Sequence, residues 1–504
     1  MSTKRSFTLA LALLLVAAMP ARATTPPTLT VIDTINPGAG SSYAMHYSDD
    51  SVALGDFLYF GANDGTHGYE LWRTNGTTTE LVMDINTGSS GAYPDYLTAY
   101  GAYLYFSAID ATHGRELWRT DGTTTALVSD INTGSSGADD SDPGYLAALG
   151  DYLYFRATDA THGRELWRTN GTTTELVMDI NTGSSGADDS DPTGFTALGG
   201  YLYFRATDGT HGRELWRTNG TTTELVMDIN NGTDRSDPTG FTALGGYLYF
   251  RANDGTHGRE LWRTNGTTTE LVMDIKTSSS GVVSSGPEGF TALSGYLYFQ
   301  ADDGTHGNEL WRTNGTTTAL VQDINPDIEG VGDSDPDAFT ALGDFLYFAA
   351  IDGTHGYELW RTDGTTTELV MDINTGSSGA DRSDPYAFTA LGDFLYFAAI
   401  DGTHGDELWR TDGTVTERVP FPVAGQNITS CSCEDMSIVA VGGRLYTTVY
   451  SSDIGHEFAY LDEPTDVLPP TNRGGSVWTT TLVILAGLTA AAATSLRLRE
   501  AKRS

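Results

Sequence analysis

Between residues 28 and 462 the chain alternates short runs of aromatic and β-branched residues with clusters of turn formers, and apolar positions nowhere recur at a helical period. One unit shows the pattern: "YLYFRA" (201–206), "RELWRT" (213–218), "TTELVMDI" (222–229), then "FTAL" (241–244) opening the next unit. Runs of this length and composition, bounded by Gly, Asn, Asp and Pro, predict four short strands. The third and fourth are joined by "NGT" or "DGT", which predicts a hairpin because Asn, Asp and Gly all tolerate positive φ.

The unit repeats. Trp72, Trp118, Trp167, Trp216, Trp262, Trp311, Trp360 and Trp409 each sit in "ELWRT", spaced by 46 or 49 residues. Self-similarity at that period predicts a propeller or a solenoid, and a four-stranded meander of this size is one propeller blade. The ends of the array predict closure. "TLTVIDTINPG" (28–38) matches a fourth strand with none before it, and "SIVAVGGRLYTTVYSSDIGHEFAYLD" (437–462) supplies three strands and stops. Joining them in one composite blade removes two open sheet edges. The expected fold is therefore all-β, a monomeric β-propeller of nine blades: eight full repeats plus the composite. An eight-bladed ring with an irregular extra unit, or two smaller rings, fits the same strand count.

"ELWRTDGT" (358–365), with "ELWRTNGT" in other copies, resembles the ELWxxDGT repeat family of exported and surface proteins over roughly residues 28–462. The resemblance implies a propeller-like fold and an extracellular location. It implies no activity.

The two ends give the same location. Residues 1–23 carry a basic start, the apolar run "FTLALALLLVAAM" and "ARA" before Thr24, the pattern of a secretory signal peptide. After the propeller (24–462) and a linker (463–473), residues 474–496 form an uncharged stretch long enough for one transmembrane helix, and the basic tail 497–504 is expected on the cytoplasmic side. Gly474-Gly475-Ser476, the apolar span and the basic cluster resemble a GlyGly-CTERM-type sorting signal, which implies cleavage and release or re-anchoring. Cell-surface display and processed release are both left open.

A formal charge of −38 argues against nucleic acid as a partner, since phosphate contacts need an excess of Lys and Arg. The only two cysteines, Cys431 and Cys433 in "TSCSCED", are too few for a disulfide scaffold. "NGT" at Asn75, Asn170, Asn219, Asn265 and Asn314 is a sequon, but three copies carry Asp there, so turn formation explains it better.

Each "THG" carries a histidine. Eight equivalent copies point to a duty every blade shares rather than to a catalytic group, which needs one asymmetric setting. By analogy with WD-repeat blades, His211, Trp216, Thr218 and Asn219 are expected to form a buried polar network; a repeated His and Glu metal site is the alternative. The positions that vary between blades say more. Arg156 and Arg164, Arg205 and Arg213, and Arg251 and Arg259 occupy equivalent positions in three successive repeats. The pairs are expected on one sheet face, where like charges repel and an anion is needed between them. That anion is either the chain's own acidic loops "ADDSDP" and "TDRSDP" or a bound acidic glycan or carboxylate. Two later repeats keep the acidic loops without these arginines, so Asp333, Asp335, Asp337, Asp381, Asp384 and Asp406 are candidate Ca²⁺ ligands, with solvated turns as the alternative. No catalytic constellation stands out. The expected function is binding or adhesion at the cell surface to a glycan or protein ligand, with Ca²⁺ as the candidate cofactor, and the alternative is a polysaccharide hydrolase or lyase on the same scaffold.

Overall fold

The computed structural model describes residues 29–32, 35–36, 42, 51–133, 139–182, 188–277, 282–326, 332–375, 382–420, 437–451 and 455–462, and every regular element among them is a β-strand. The expected signal peptide, linker, membrane or sorting helix and basic tail lie outside these residues, as do Cys431 and Cys433. No helix among the described residues is long and apolar enough to cross a membrane.

The strands form nine four-stranded antiparallel sheets, each a meander in chain order except the last. Blades 1 to 8 span 52–83, 95–129, 144–178, 193–227, 239–273, 288–322, 337–371 and 386–418. Blade 9 takes three strands from 438–462 and its outermost from Thr30–Val31, with Thr30 opposite Tyr460 and Val31 opposite Ala459. This is the nine-bladed, clasped ring expected from the repeat count. Blade 4 serves as the type: Thr193–Leu198, Tyr201–Asp208, Gly212–Thr218 and Thr223–Met227. First strands of successive blades lie beside one another from blade 1 to blade 9, so they form the inner wall of the ring.

The apolar run "YLYF" is continuous rather than alternating because both faces of a blade are covered. Leu202, Tyr203 and Phe204 are all buried. Tyr203, Leu215 and Ile229 of blade 4 pack on Leu248, Phe250, Ala252 and Trp262 of blade 5. Equivalent layers fill every junction, including the one between blades 9 and 1, where Tyr446 and Phe458 meet Leu58 and Phe60. The apolar core is therefore distributed as nine layers between blades.

The hairpin after "ELWRT" is present as expected, but only its glycine uses positive φ. Thr218 pairs with Thr223, leaving a four-residue loop in which Gly220 takes φ 85° and Asn219 does not take positive φ. Asn219 Oδ1 instead accepts the backbone N–H groups of Thr221 and Thr222 at 2.9 and 2.8 Å. Only an oxygen is used, which is why Asp121, Asp363 and Asp412 serve equally well.

That loop is also a contact between blades. The Arg217 guanidinium stacks 4.3 Å above the Tyr201 ring, donates to Glu224 Oε1 at 2.8 Å and reaches the Gly266 carbonyl of the next blade at 2.7 Å. Arg168 does the same with Tyr152, Glu175 and Gly220.

Candidate functional site

The loops joining second to third strands ("DGTHG") and the crossovers from each fourth strand to the next first strand meet on one face. Arg164 N–H donates to Asp189 Oδ1 at 2.7 Å, which ties one loop type to the other. Beneath each such junction lies a buried carboxylate that the sequence pattern offered only as half of a His and Glu metal site, Glu165 here and Glu214 in blade 4. Glu214 is fully buried; its Oε2 accepts Ile229 N–H at 3.0 Å and Ser236 Oγ–H at 2.5 Å, and its Oε1 accepts Ser236 N–H at 2.8 Å. It thereby pins both ends of the crossover from blade 4 to blade 5. Burial pushes its carboxyl up to about 7 against the pull of these hydrogen bonds. Glu70, Glu116, Glu165, Glu309, Glu358 and Glu407 are raised to about 7 by the same cause. The signal was in the motif: this Glu recurs in every copy, as the Trp does.

The expected quartet is not one network. His211 sits in the loop, about a third exposed, with Nδ1 2.8 Å from Asp208 Oδ2. That hydrogen bond raises the pKa of His211. Trp216 lies in the layer between blades, and its indole N–H has no hydrogen-bond partner. Thr218 and Asn219 belong to the four-residue loop, where Thr218 Oγ1 accepts Gly220 N–H at 3.1 Å. The length of the third strand separates loop from hairpin, so one histidine cannot reach both. The His and Glu metal alternative fails as well, because Glu214 is enclosed below the loop with its oxygens committed. Among the described residues no three His, Cys, Asp or Glu side chains converge on a metal position.

The Ca²⁺ candidates are dispersed. Asp333 Oδ1 accepts Asn308 N–H at 2.7 Å, Asp335 Oδ1 accepts Asn308 Nδ2 at 2.9 Å, and Asp337 Oδ1 accepts Ala338 N–H at 2.7 Å. Asp384 accepts Arg382 Nε at 2.7 Å, and Asp381 lies outside the described residues. These carboxylates cap backbone and side-chain donors instead of converging on a cation. Asp406 stands apart: burial and the neighbouring Asp384 carboxylate raise its pKa.

The arginines do converge. Arg156 opposes Leu166 and Arg164 opposes Thr158, so each pair lies diagonally on one sheet face, two residues apart. Asp191, in the crossover to the next blade, receives Arg164 Nη1 at 3.2 Å, Arg156 Nη1 at 3.8 Å and Arg213 Nη2 at 3.9 Å. Asp142 lies between Arg115 and Arg164 at 3.9 and 4.0 Å, and Asp237 lies 3.9 Å from Arg213. An arc of alternating guanidinium and carboxylate groups thus runs over blades 2 to 5. Arg251 pairs with Glu288 of blade 6, beside a pocket of about 240 Å³ lined by Thr239, Gly240, Pro287 and Phe290. Arg259 is exposed and makes no side-chain ion pair among the described residues.

Arg205 differs from all of these. Its Nε donates to Thr193 Oγ1 at 2.7 Å, and among the described residues no carboxylate lies within ion-pair distance. Burial and the adjacent Arg213 charge lower its pKa. Next to it, Tyr145 takes φ 55° and Tyr96 takes φ 53°, with rings 5.3 Å apart and Arg156 4.7 Å above the Tyr145 ring. These tyrosines occupy the bulged second residue of the first strand, where Gly194, Gly240 and Gly289 stand in blades 4, 5 and 6.

No family model matches the chain, and no curated protein matches it. It is similar in structure to a puromycin-hydrolyzing peptidase from Mycobacterium tuberculosis (13% identity, TM-score 0.35, covering 75% of this chain and 61% of that one). It is similar also to a puromycin hydrolase (14%, 0.33, 69% and 58%) and to the GH74 xyloglucanase from Xanthomonas campestris (15%, 0.32, 86% and 69%). The chain spans about 60% of the length of the two puromycin-hydrolyzing proteins.

Proposed function

We propose that this is an exported, membrane-tethered propeller that acts at the cell surface as a binding module, with its ligand seated at the channel mouth on the crossover face. The observation that carries the reading is where the blades differ. Packing layers, Arg–Glu pairs and buried glutamates repeat almost unchanged, whereas the mouth changes from tyrosine and arginine in blades 2 to 5 to aspartate and alanine in blades 7 and 8. A surface that needed only to hold the ring together has no reason to vary in one place. The start pattern at 1–23 and the apolar stretch at 474–496 support the location, as does the resemblance to exported repeat proteins.

The hydrolase alternative draws on Asp406, a half-buried carboxyl with raised pKa beside a second carboxylate, the kind of pairing that separates an acid from a base. A glycan array combined with a carbohydrate-cleavage screen on the full chain decides between the two. Binding without turnover, weakened by substitutions at Arg156 and Arg205, supports the module. Turnover abolished by Asp406→Asn supports the enzyme.

A further inference from the structure

We propose that the arginine arc of blades 3 to 5 is a subsite for a carboxylated polysaccharide, with Arg205 gripping a uronate carboxylate and Tyr145 and Tyr96 flanking the sugar ring. The inference rests on the binding reading above and names its ligand class.

Three observations lead there. The first is the vacancy in a pattern. Arg156, Arg205 and Arg251 occupy the same position in successive blades, paired across the sheet with Gly144, Thr193 and Thr239 at the start of the innermost strand. Arg156 has the Asp191 carboxylate and Arg251 has Glu288, whereas Arg205, between them and beside Arg213, donates to a hydroxyl, and among the described residues no carboxylate reaches ion-pair distance, Asp237 acting on it only from further off. A half-buried guanidinium among like charges is satisfied by an anion from outside.

The second is the chemistry of the anions already present. Wherever the arc is filled from within the chain, the group that fills it is a carboxylate: Asp191 faces three arginines, Asp142 two, and Asp237 and Glu288 one each. A planar carboxylate matches the fork of a guanidinium. The third is the tyrosine pair. Left-handed backbone carries a steric cost for a bulky residue, which blades 4, 5 and 6 escape with glycine at φ 73°, 72° and 68°. Blades 2 and 3 accept it and thereby bring two half-exposed rings to the mouth next to Arg156. Aromatic rings beside arginines suit a ring with apolar C–H faces and a charged rim, which describes a uronic acid.

The test uses the full chain and three probes: polygalacturonate, its methyl-esterified form and dextran sulfate, with affinities from biolayer interferometry. Arg205→Gln and Arg205→Ala install residues that stand at the equivalent position in blades 6 and 7, and Tyr145→Gly installs the residue of blades 4 to 6. Polygalacturonate should bind, the esterified polymer should bind at least ~10-fold more weakly, and both Arg205 variants should lose about 10-fold. Tyr145→Gly should weaken binding while the melting temperature holds or rises, because the strained backbone is relieved. Equal binding of the esterified polymer or of dextran sulfate overturns the carboxylate assignment, and wild-type affinity in the Arg205 variants overturns the subsite. Wild-type affinity in Tyr145→Gly overturns the stacking role. Should a neutral glycan from the array bind in a way that Arg205→Ala abolishes, the ligand class falls and the binding module stands. Should no array member bind, both fall.

Discussion

At the scale of single residues, the structure moves the important polar group from the histidine to the glutamate three positions further along. His211 is a partly exposed clamp on its own loop, and pairs of that kind contribute about 0.5 kcal/mol or less. Glu214 is the buried acceptor for three donors from two different segments. Replacing it with alanine strands those donors, and each unmet buried group costs about 1–3 kcal/mol, so Glu214→Ala should destabilise by at least ~3 kcal/mol in chemical denaturation. Glu214→Gln keeps one carbonyl acceptor and should cost less. It should also remove one titrating group, so the variant's melting temperature should vary less with pH than the wild type's. Equal losses for His211→Ala and Glu214→Ala would show that the two residues share one network after all.

At the scale of the element, the four strands of each blade, their order and the closing clasp were readable from hydrophobic runs, turn residues and the period. The geometry of the hairpin was not, because Asn-Gly suits both a two-residue turn and the observed four-residue loop; the choice is made by Thr218 Oγ1 and by the neighbouring blade. The burial of Glu214 was not readable either, since a Glu next to Leu and Trp is as compatible with an exposed strand position as with an enclosed one. The six arginines were legible as a group through their repetition, but Arg205's lack of a carboxylate depends on where three crossover loops place their aspartates. The glycine of each hairpin is held by a contact from outside its own blade. A Cβ at Gly220 would lie 2.5 Å from the Tyr154 hydroxyl, besides requiring an unfavourable φ of 85°. Gly220→Ala should therefore cost more than the ~1–2 kcal/mol of the backbone alone, and Arg168→Ala, which removes the same junction from the other side, should add little to it in the double variant. Additive losses in a double-mutant cycle would show that glycine and arginine act separately.

At the scale of the whole ring, charge sets both stability and binding. A glutamate whose pKa rises from 4.5 to about 7 on folding favours the protonated fold, so its contribution is complete below 4.5 and is lost as pH climbs towards 7. His211 and its counterparts with raised pKa act in the same direction above 6.5. Asp208, held below 3.8 by hydrogen bonds from His211 and Thr210 that outweigh its burial, acts oppositely and loses its contribution on acidification. The melting temperature should therefore peak between about pH 4.5 and 6 and fall towards pH 8, as the growing self-repulsion of a chain with formal charge −38 also requires. The same field opposes any polyanion approaching the arginine arc. At 0.01 M salt it extends ~30 Å and meets the ligand well before the guanidinium groups do; at 0.15 M it extends ~8 Å, leaving the local contacts to decide. Polygalacturonate affinity should accordingly rise from 0.01 to 0.15 M salt, mostly through the association rate, and decline again towards 1 M as the arginine contacts are themselves screened. A steady fall from the lowest salt upward, the behaviour of an ordinary basic surface, would mean that the ligand meets a positive patch not opposed by the rest of the molecule.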